Sequence, residues 1–113
     1  MFGFFVIQEK SSGKIIGEAG LFDSYNNHLK LELGYSIDFN YWNNGYGSEL
    51  CLGLIEYAFK HLKAENIIAK MYSENIASVR LSVKWGMQKI KTDMAENGKT
   101  FFEYEISNPL TIN

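Results

Sequence analysis

With 113 residues, 46% hydrophobic and 21% charged, the chain has the make-up of one soluble globular domain spanning 1–113, too short for two cores. A formal net charge of -2 leaves no basic surface for a nucleic-acid partner. The one cysteine, Cys51, excludes an internal disulfide and has no companion at metal-ligand spacing, so no metal is expected and Cys51 reads as a small buried residue.

The opening "MFGFFVIQEK" is apolar but lacks a basic flank, and it meets Gln8-Glu9-Lys10 too soon for a signal segment. No apolar run approaches membrane-spanning length, so a cytoplasmic protein with no membrane partner is expected. The aromatic and β-branched run ends at Ser11-Ser12-Gly13, and "KIIGEAGLFD" follows, which predicts an antiparallel hairpin over 2–23. After a polar loop at 24–28, "KLELGYSIDF" alternates as a strand. Leu31, Leu33, Tyr35 and Ile37 share one face, and Glu32, Gly34, Ser36 and Asp38 the other.

Leu50, Leu54, Ile55, Ala58, Phe59 and Leu62 then recur at helical spacing. "NIIAKMYS" predicts a strand parallel to the previous one. A second helix is expected over about 76–85, with Asn75 as N-cap, Val79 and Val83 on its packed stripe and Gly86 just past its end. "QKIKTDMAENGKTFFEYEIS" reads as a hairpin turning at Asn97-Gly98, with Phe102, Tyr104 and Ile106 on one face. The order ββ-β-α-β-α-ββ predicts an α/β (α+β type) domain with a mixed, mostly antiparallel sheet and two helices.

Between the third strand and the first helix lies "NYWNNGYGSE", where glycines open directly onto a helix. Such a junction gathers bare backbone N–H groups at the positive end of the helix dipole and suits an anion. The plain alternative is that Gly45 and Gly47 only let the chain turn. A P-loop is excluded because Ser48 follows Gly47 with no lysine, and a dinucleotide fingerprint because position 50 is Leu50.

A second motif, "NIASVRLSVKWGM", follows the fourth strand. Together "ELGYSIDFNYWNNGYGSE" and this segment resemble the GNAT N-acetyltransferases, most closely the RimJ/RimL-type branch. Glu32, Gly34, Tyr35, Tyr41, Trp42, Gly45, Tyr46, Gly47 and Glu49 fall in register with that branch's loop pattern. Asn75, Ser78, Arg80, Lys84 and Gly86 match its helix pattern. There are departures. Asn43-Asn44 replaces a glycine and a basic residue, Met87 replaces a phenylalanine, and Ser82 stands where many members carry an acidic-role tyrosine. The family also has a strand and two helices before the first hairpin, so the resemblance implies an N-terminally shortened GNAT fold.

The resemblance implies acetyl-CoA as cosubstrate. Its pyrophosphate would meet backbone N–H groups of Asn43, Asn44, Gly45, Tyr46, Gly47 and Ser48, and its pantetheine arm would pair with backbone around Ile37 and Phe39. Asn75 would bond the pantetheine amide, or act only as a cap. Ser78 would donate to the departing sulfur, or be a helix-surface serine. An alkyl amine titrates near ~10 and must lose a proton at neutral pH. Glu32 is the candidate base, the plain alternative being a solvated carboxylate, and a backbone N–H near Ile37 would steady the oxyanion. Arg80 and Lys84 read as a solvated face, and His28 and His61 as surface residues. The implied activity is acetyl transfer to a primary amine, on a small molecule or peptide. The alternative is a CoA-binding or interaction module without turnover. Apolar residues on both faces of the first strand, and an open sheet edge, predict a homo-oligomer, with the 88–107 hairpin as a second candidate interface.

Overall fold

The computed structural model describes residues 3–8, 10–23, 26, 29–37 and 46–109. Strands β1 (Gly3–Gln8), β2 (Ile15–Phe22) and β3 (Lys30–Ile37) precede helix α1 (Tyr46–Lys60), and β4 (Asn66–Tyr72) precedes helix α2 (Ile76–Lys84). The hairpin β5 (Gln88–Met94) and β6 (Thr100–Ser107) follows. This is the expected element order. The strands form one sheet in the order β1-β2-β3-β4-β6-β5. All neighbours are antiparallel except β3 and β4, which the α1 crossover makes parallel.

Both helices lie on one face of the sheet, α1 over β2 and β3 and α2 over β4. The side chains at alternate strand positions feed that layer: Ala19 and Leu21, Leu31 and Leu33, Ile67, Ala69 and Met71, and Tyr104 are all buried. Cys51, Leu54, Ile55, Ala58 and Phe59 close it from α1. Burying each of the larger chains contributes about 1.5–3 kcal/mol. Phe102 and Ile106 are half-buried against the same core and Tyr104 is buried in it, so this face of the 88–107 hairpin points inward, while Phe101 is not part of that core. Its outer strand β5 is exposed along its whole length, with a register shift between Lys89 and Lys91. Lysines and an irregularity on an edge strand discourage pairing with another sheet.

Helix α2 packs differently from its predicted stripe. Val83 is 60% exposed, and the inward line is Ser78, Ser82 and Trp85, with Val79 and Leu81 half-buried. Small side chains at 78 and 82 let the helix backbone settle onto the sheet where a valine would hold it off. Ser82 Oγ donates to Ser78 O at 3.0 Å, which satisfies its hydroxyl without leaving the helix. The caps are as expected. Asn75 Oδ1 accepts from Ser78 N, and Gly86 has φ 90°, a conformation costly for any residue with a Cβ.

The end of α1 is closed from far away. Lys63 takes φ 58°, turning Ala64 N–H back onto Ala58 O. Asn108 is fully buried there. Its Nδ2 donates to Ala64 O at 2.8 Å and Phe59 O at 3.3 Å, and its N–H to Glu65 O at 2.7 Å. These bonds take up carbonyls that a helix terminus otherwise leaves without partners.

Two outcomes follow from this packing. Asn108→Ala should lower unfolding free energy by about 2 kcal/mol in a denaturant titration, because buried carbonyls lose their donor. Burial pushes the Cys51 thiol up to about 12. At mildly alkaline pH its reaction with a disulfide reagent should therefore be about 10³-fold slower in the folded chain than in denaturant.

Candidate functional site

Strands β3 and β4 pair at only three positions, Lys30 with Asn66, Leu31 with Ile67 and Glu32 with Ile68. Beyond Glu32 the ladder stops, although β3 runs on to Ile37 and β4 to Tyr72. β4 stays bonded to β6 as far as Tyr72 and β3 to β2 as far as Ile37, so the sheet opens as a wedge between two intact halves. Each strand therefore turns backbone N–H and C=O groups into the wedge, and such groups need partners. An extended arm with its own amides can supply them as an inserted strand.

Both helices begin at the wide end of this wedge, because each follows the carboxyl end of one of its strands. The positive ends of two helices thus open on the same region, the usual ligand position in a parallel strand–helix unit. α1 starts at Tyr46, so Gly47 and Ser48 belong to its first turn and their N–H groups have no intrahelical acceptor. Phe39, Asn43, Asn44 and Gly45 lie outside the described residues, as does the side chain of Tyr46. Ile37 is the last described residue of β3, which the sequence reading carried on to Phe39.

A polar chain ties these helices to β3. Trp85 Nε1 donates to Ser48 Oγ at 3.3 Å, joining the end of α2 to the first turn of α1. The Trp85 ring meets Tyr35 of β3 edge-on, with centroids 5.7 Å apart. Ser78 is 4% exposed, so it is no surface serine. It reaches Tyr35, whose hydroxyl burial pushes up to about 12, a hydrogen bond with Ser78 working the other way and the Cys51 thiol adding to the rise. The phenol thus keeps its proton at any physiological pH. Sequence reasoning missed Tyr35 and Trp85 as parts of this cluster. The signal was there for Trp85, which lies seven residues from Ser78 and so on the same helical face.

Glu32 is half-buried on the opposite face of the sheet, at the last paired position before the wedge. Ser78 and Glu32 are therefore not in one cluster but flank the opening from its two sides. A group lying in the wedge can meet a hydroxyl from the helix face and a carboxylate from the other. Asn75 is exposed at the start of α2, its Oδ1 used for capping and its Nδ2 directed to no described residue. Arg80, Lys84 and His61 are exposed, and His61 lies against the Tyr57 ring at 5.2 Å. Among the described residues no group of three His, Cys, Asp or Glu could hold a metal, and no helix is long and apolar enough to cross a membrane.

The sequence and the fold both have counterparts among known proteins. The family described as "Acetyltransferase (GNAT) domain" matches residues 1–88. An uncharacterized N-acetyltransferase of Bacillus subtilis (strain 168), YoaA, is 32% identical over 98 residues, covering 84% of this chain and 55% of the relative. The chain thus spans about half the length of the curated relatives it matches. A ribosomal-protein-S5-alanine acetyltransferase from Vibrio fischeri superposes with TM-score 0.82 at 23% identity, covering 94% of this chain and 61% of that one. A mutant spermidine N-acetyltransferase from Vibrio cholerae gives TM-score 0.81 at 19% identity, over 97% and 68% respectively. These two likenesses concern the fold. With the family match extending over most of its residues, the chain belongs to the GNAT acetyltransferase family.

Proposed function

We propose that the chain transfers the acetyl group of acetyl-CoA to a primary amine. The observation that carries this reading is the wedge: two parallel strands part after Glu32 and Ile68, and both helices begin at its open end. The wedge suits a pantetheine-like arm, since unpaired backbone groups near Ile37 can bond its amides. The first turn of α1, with the N–H groups of Tyr46, Gly47 and Ser48 preceded by Asn43, Asn44 and Gly45, suits the pyrophosphate.

The thioester supplies an activated acetyl group; the remaining work falls to this chain's residues. Glu32 takes the proton of the incoming ammonium, directly or through a water, on the face away from the helices. Ser78 donates to the departing sulfur from the helix face, and the protonated Tyr35 beside it holds that hydroxyl in place. Asn75 holds the arm through its free side-chain nitrogen. The acceptor class we favour contains protein N-termini, polyamines and amino sugars, and the likeness to a ribosomal-protein acetyltransferase supports a RimJ/RimL-type branch. The lone reduced cysteine fits a cytoplasmic setting. Self-association is proposed at the β1 edge, where Val6 and Ile15 are more than half exposed.

Calorimetry should find binding of CoA and acetyl-CoA and none comparable of NAD or ATP. Gly47→Asp should remove it, since the new carboxylate faces the pyrophosphate. Equal affinity for all four ligands would overturn the reading. In a thiol-release assay over a panel of amines, Ser78→Ala and Glu32→Gln should each lower kcat by about 10² to 10⁴, with CoA affinity nearly unchanged. CoA binding without release from any amine would favour a non-catalytic module. Sedimentation at micromolar concentration should show a dimer or larger species, and a monomer there would count against the β1 interface.

A further inference from the structure

The bond from Trp85 to Ser48 constrains a proton as well as two helices. An indole N–H can only donate, so Ser48 Oγ accepts there, at 3.3 Å. The hydroxyl keeps one proton to give, and the indole sets the directions left for it. A helical serine usually gives that proton to a carbonyl one turn earlier, as Ser82 does to Ser78 at 3.0 Å. Ser48 has no helical residue one turn earlier, because α1 begins at Tyr46. Side chains on a helix lean toward its N-terminus. The Ser48 hydroxyl therefore stands beside the N–H groups of Tyr46, Gly47 and Ser48, which also lack intrahelical acceptors.

The local charge makes the direction of that proton matter. The run from Asn43 to Glu49 holds no lysine or arginine, and Glu49 adds a carboxylate to the first turn. An anion at this helix start thus depends on neutral donors and the helix dipole. A cation attracts from any side, whereas a hydroxyl acts only along its O–H and loses its effect when it turns away. Trp85 is itself held firmly. It is 7% exposed, it closes α2, and its ring meets Tyr35 edge-on at 5.7 Å. The group that orients Ser48 is anchored on α2 and β3, outside the helix it serves.

We infer that Trp85 is a positioning residue for the cosubstrate: its indole N–H holds the Ser48 oxygen so that the hydroxyl proton points at a diphosphate bound at the start of α1. The inference rests on the acetyl-CoA reading for the identity of that anion, but not for the Trp85–Ser48 bond. Ser48 touches the phosphate, and Trp85 acts only through Ser48. Without the indole the hydroxyl rotates freely and spends part of its time turned away. Affinity for the diphosphate then falls, while affinity for the pantetheine arm along the wedge does not change.

Calorimetry with CoA, dephospho-CoA and pantetheine tests this, since only the first two carry the diphosphate. Trp85→Phe keeps an aromatic ring against Tyr35 and removes the N–H. It should weaken CoA and dephospho-CoA alike by about three- to fivefold, and Ser48→Ala should weaken both by about tenfold. Pantetheine should bind each variant as it binds the parent. In the Ser48→Ala background Trp85→Phe should add nothing, because its effect passes through that hydroxyl. Equal loss for pantetheine, or losses that multiply in the double variant, would give Trp85 a packing role only and overturn the inference. A readout that leaves the core untouched is the Trp85 indole N–H resonance, which Ser48→Ala should shift in the ligand-free chain. An unmoved resonance would also overturn the inference. A parent chain that binds no CoA strikes the acetyl-CoA reading, and this inference with it. A parent that binds CoA no more tightly than Trp85→Phe does strikes this inference alone.

Discussion

The loss of pairing between β3 and β4 after three positions is the constraint on which the rest depends. A sheet interrupted in its middle strands exposes backbone groups at the point where a fold is normally most saturated. It persists because each half is secured on its outer side, β3 by β2 and β4 by the full length of β6. The opening is therefore a property of two rigid ribbons rather than of a loose strand. It also lets the two faces of the sheet communicate, which is how a hydroxyl on a helix and a carboxylate on the far face can act on one group.

The helices must keep that opening at a fixed width, and the link between Trp85 and Ser48 does so. Trp85 closes α2, touches Tyr35 on β3 and grips the first turn of α1. One indole thus relates the anion-suited helix start to the serine-bearing helix. Had Ser78 and Ser82 been larger, α2 would stand further from the sheet and Trp85 would lose one of these contacts. The serines on the inward stripe are the reason the helix can sit low.

Much of this was legible in the sequence, and the reason is local. Alternation and turn residues fixed the hairpins, because cross-strand partners there are near neighbours along the chain. Asn75 and Gly86 marked the limits of α2 because caps are decided within a turn of helix. Glu32 and Ser78 were singled out by motif resemblance alone. What periodicity misread was the inward face of α2, because it counts apolarity and the packed stripe is built from small polar residues. The roles of Tyr35, Trp85 and Asn108 depend on contacts with distant segments, 49 residues distant for Asn108 and Phe59. Lys63 in a left-handed conformation gave no signal either, since nothing in its type favours it. That Gly20 and Gly34 face each other is visible only once the register of β2 and β3 is known.

Asn108 also bears on the order of events during synthesis. Its bonds to Phe59 and Ala64 close a helix made half a chain earlier, and they form only after β6 has emerged and paired with β4. Until then the α1 terminus waits with open carbonyls, and the parallel β3–β4 pair is held by three positions alone. Folding that depends on such late, long-range closure is slow to become committed. Closure of α1 thus waits for β6, however early the helix itself has formed.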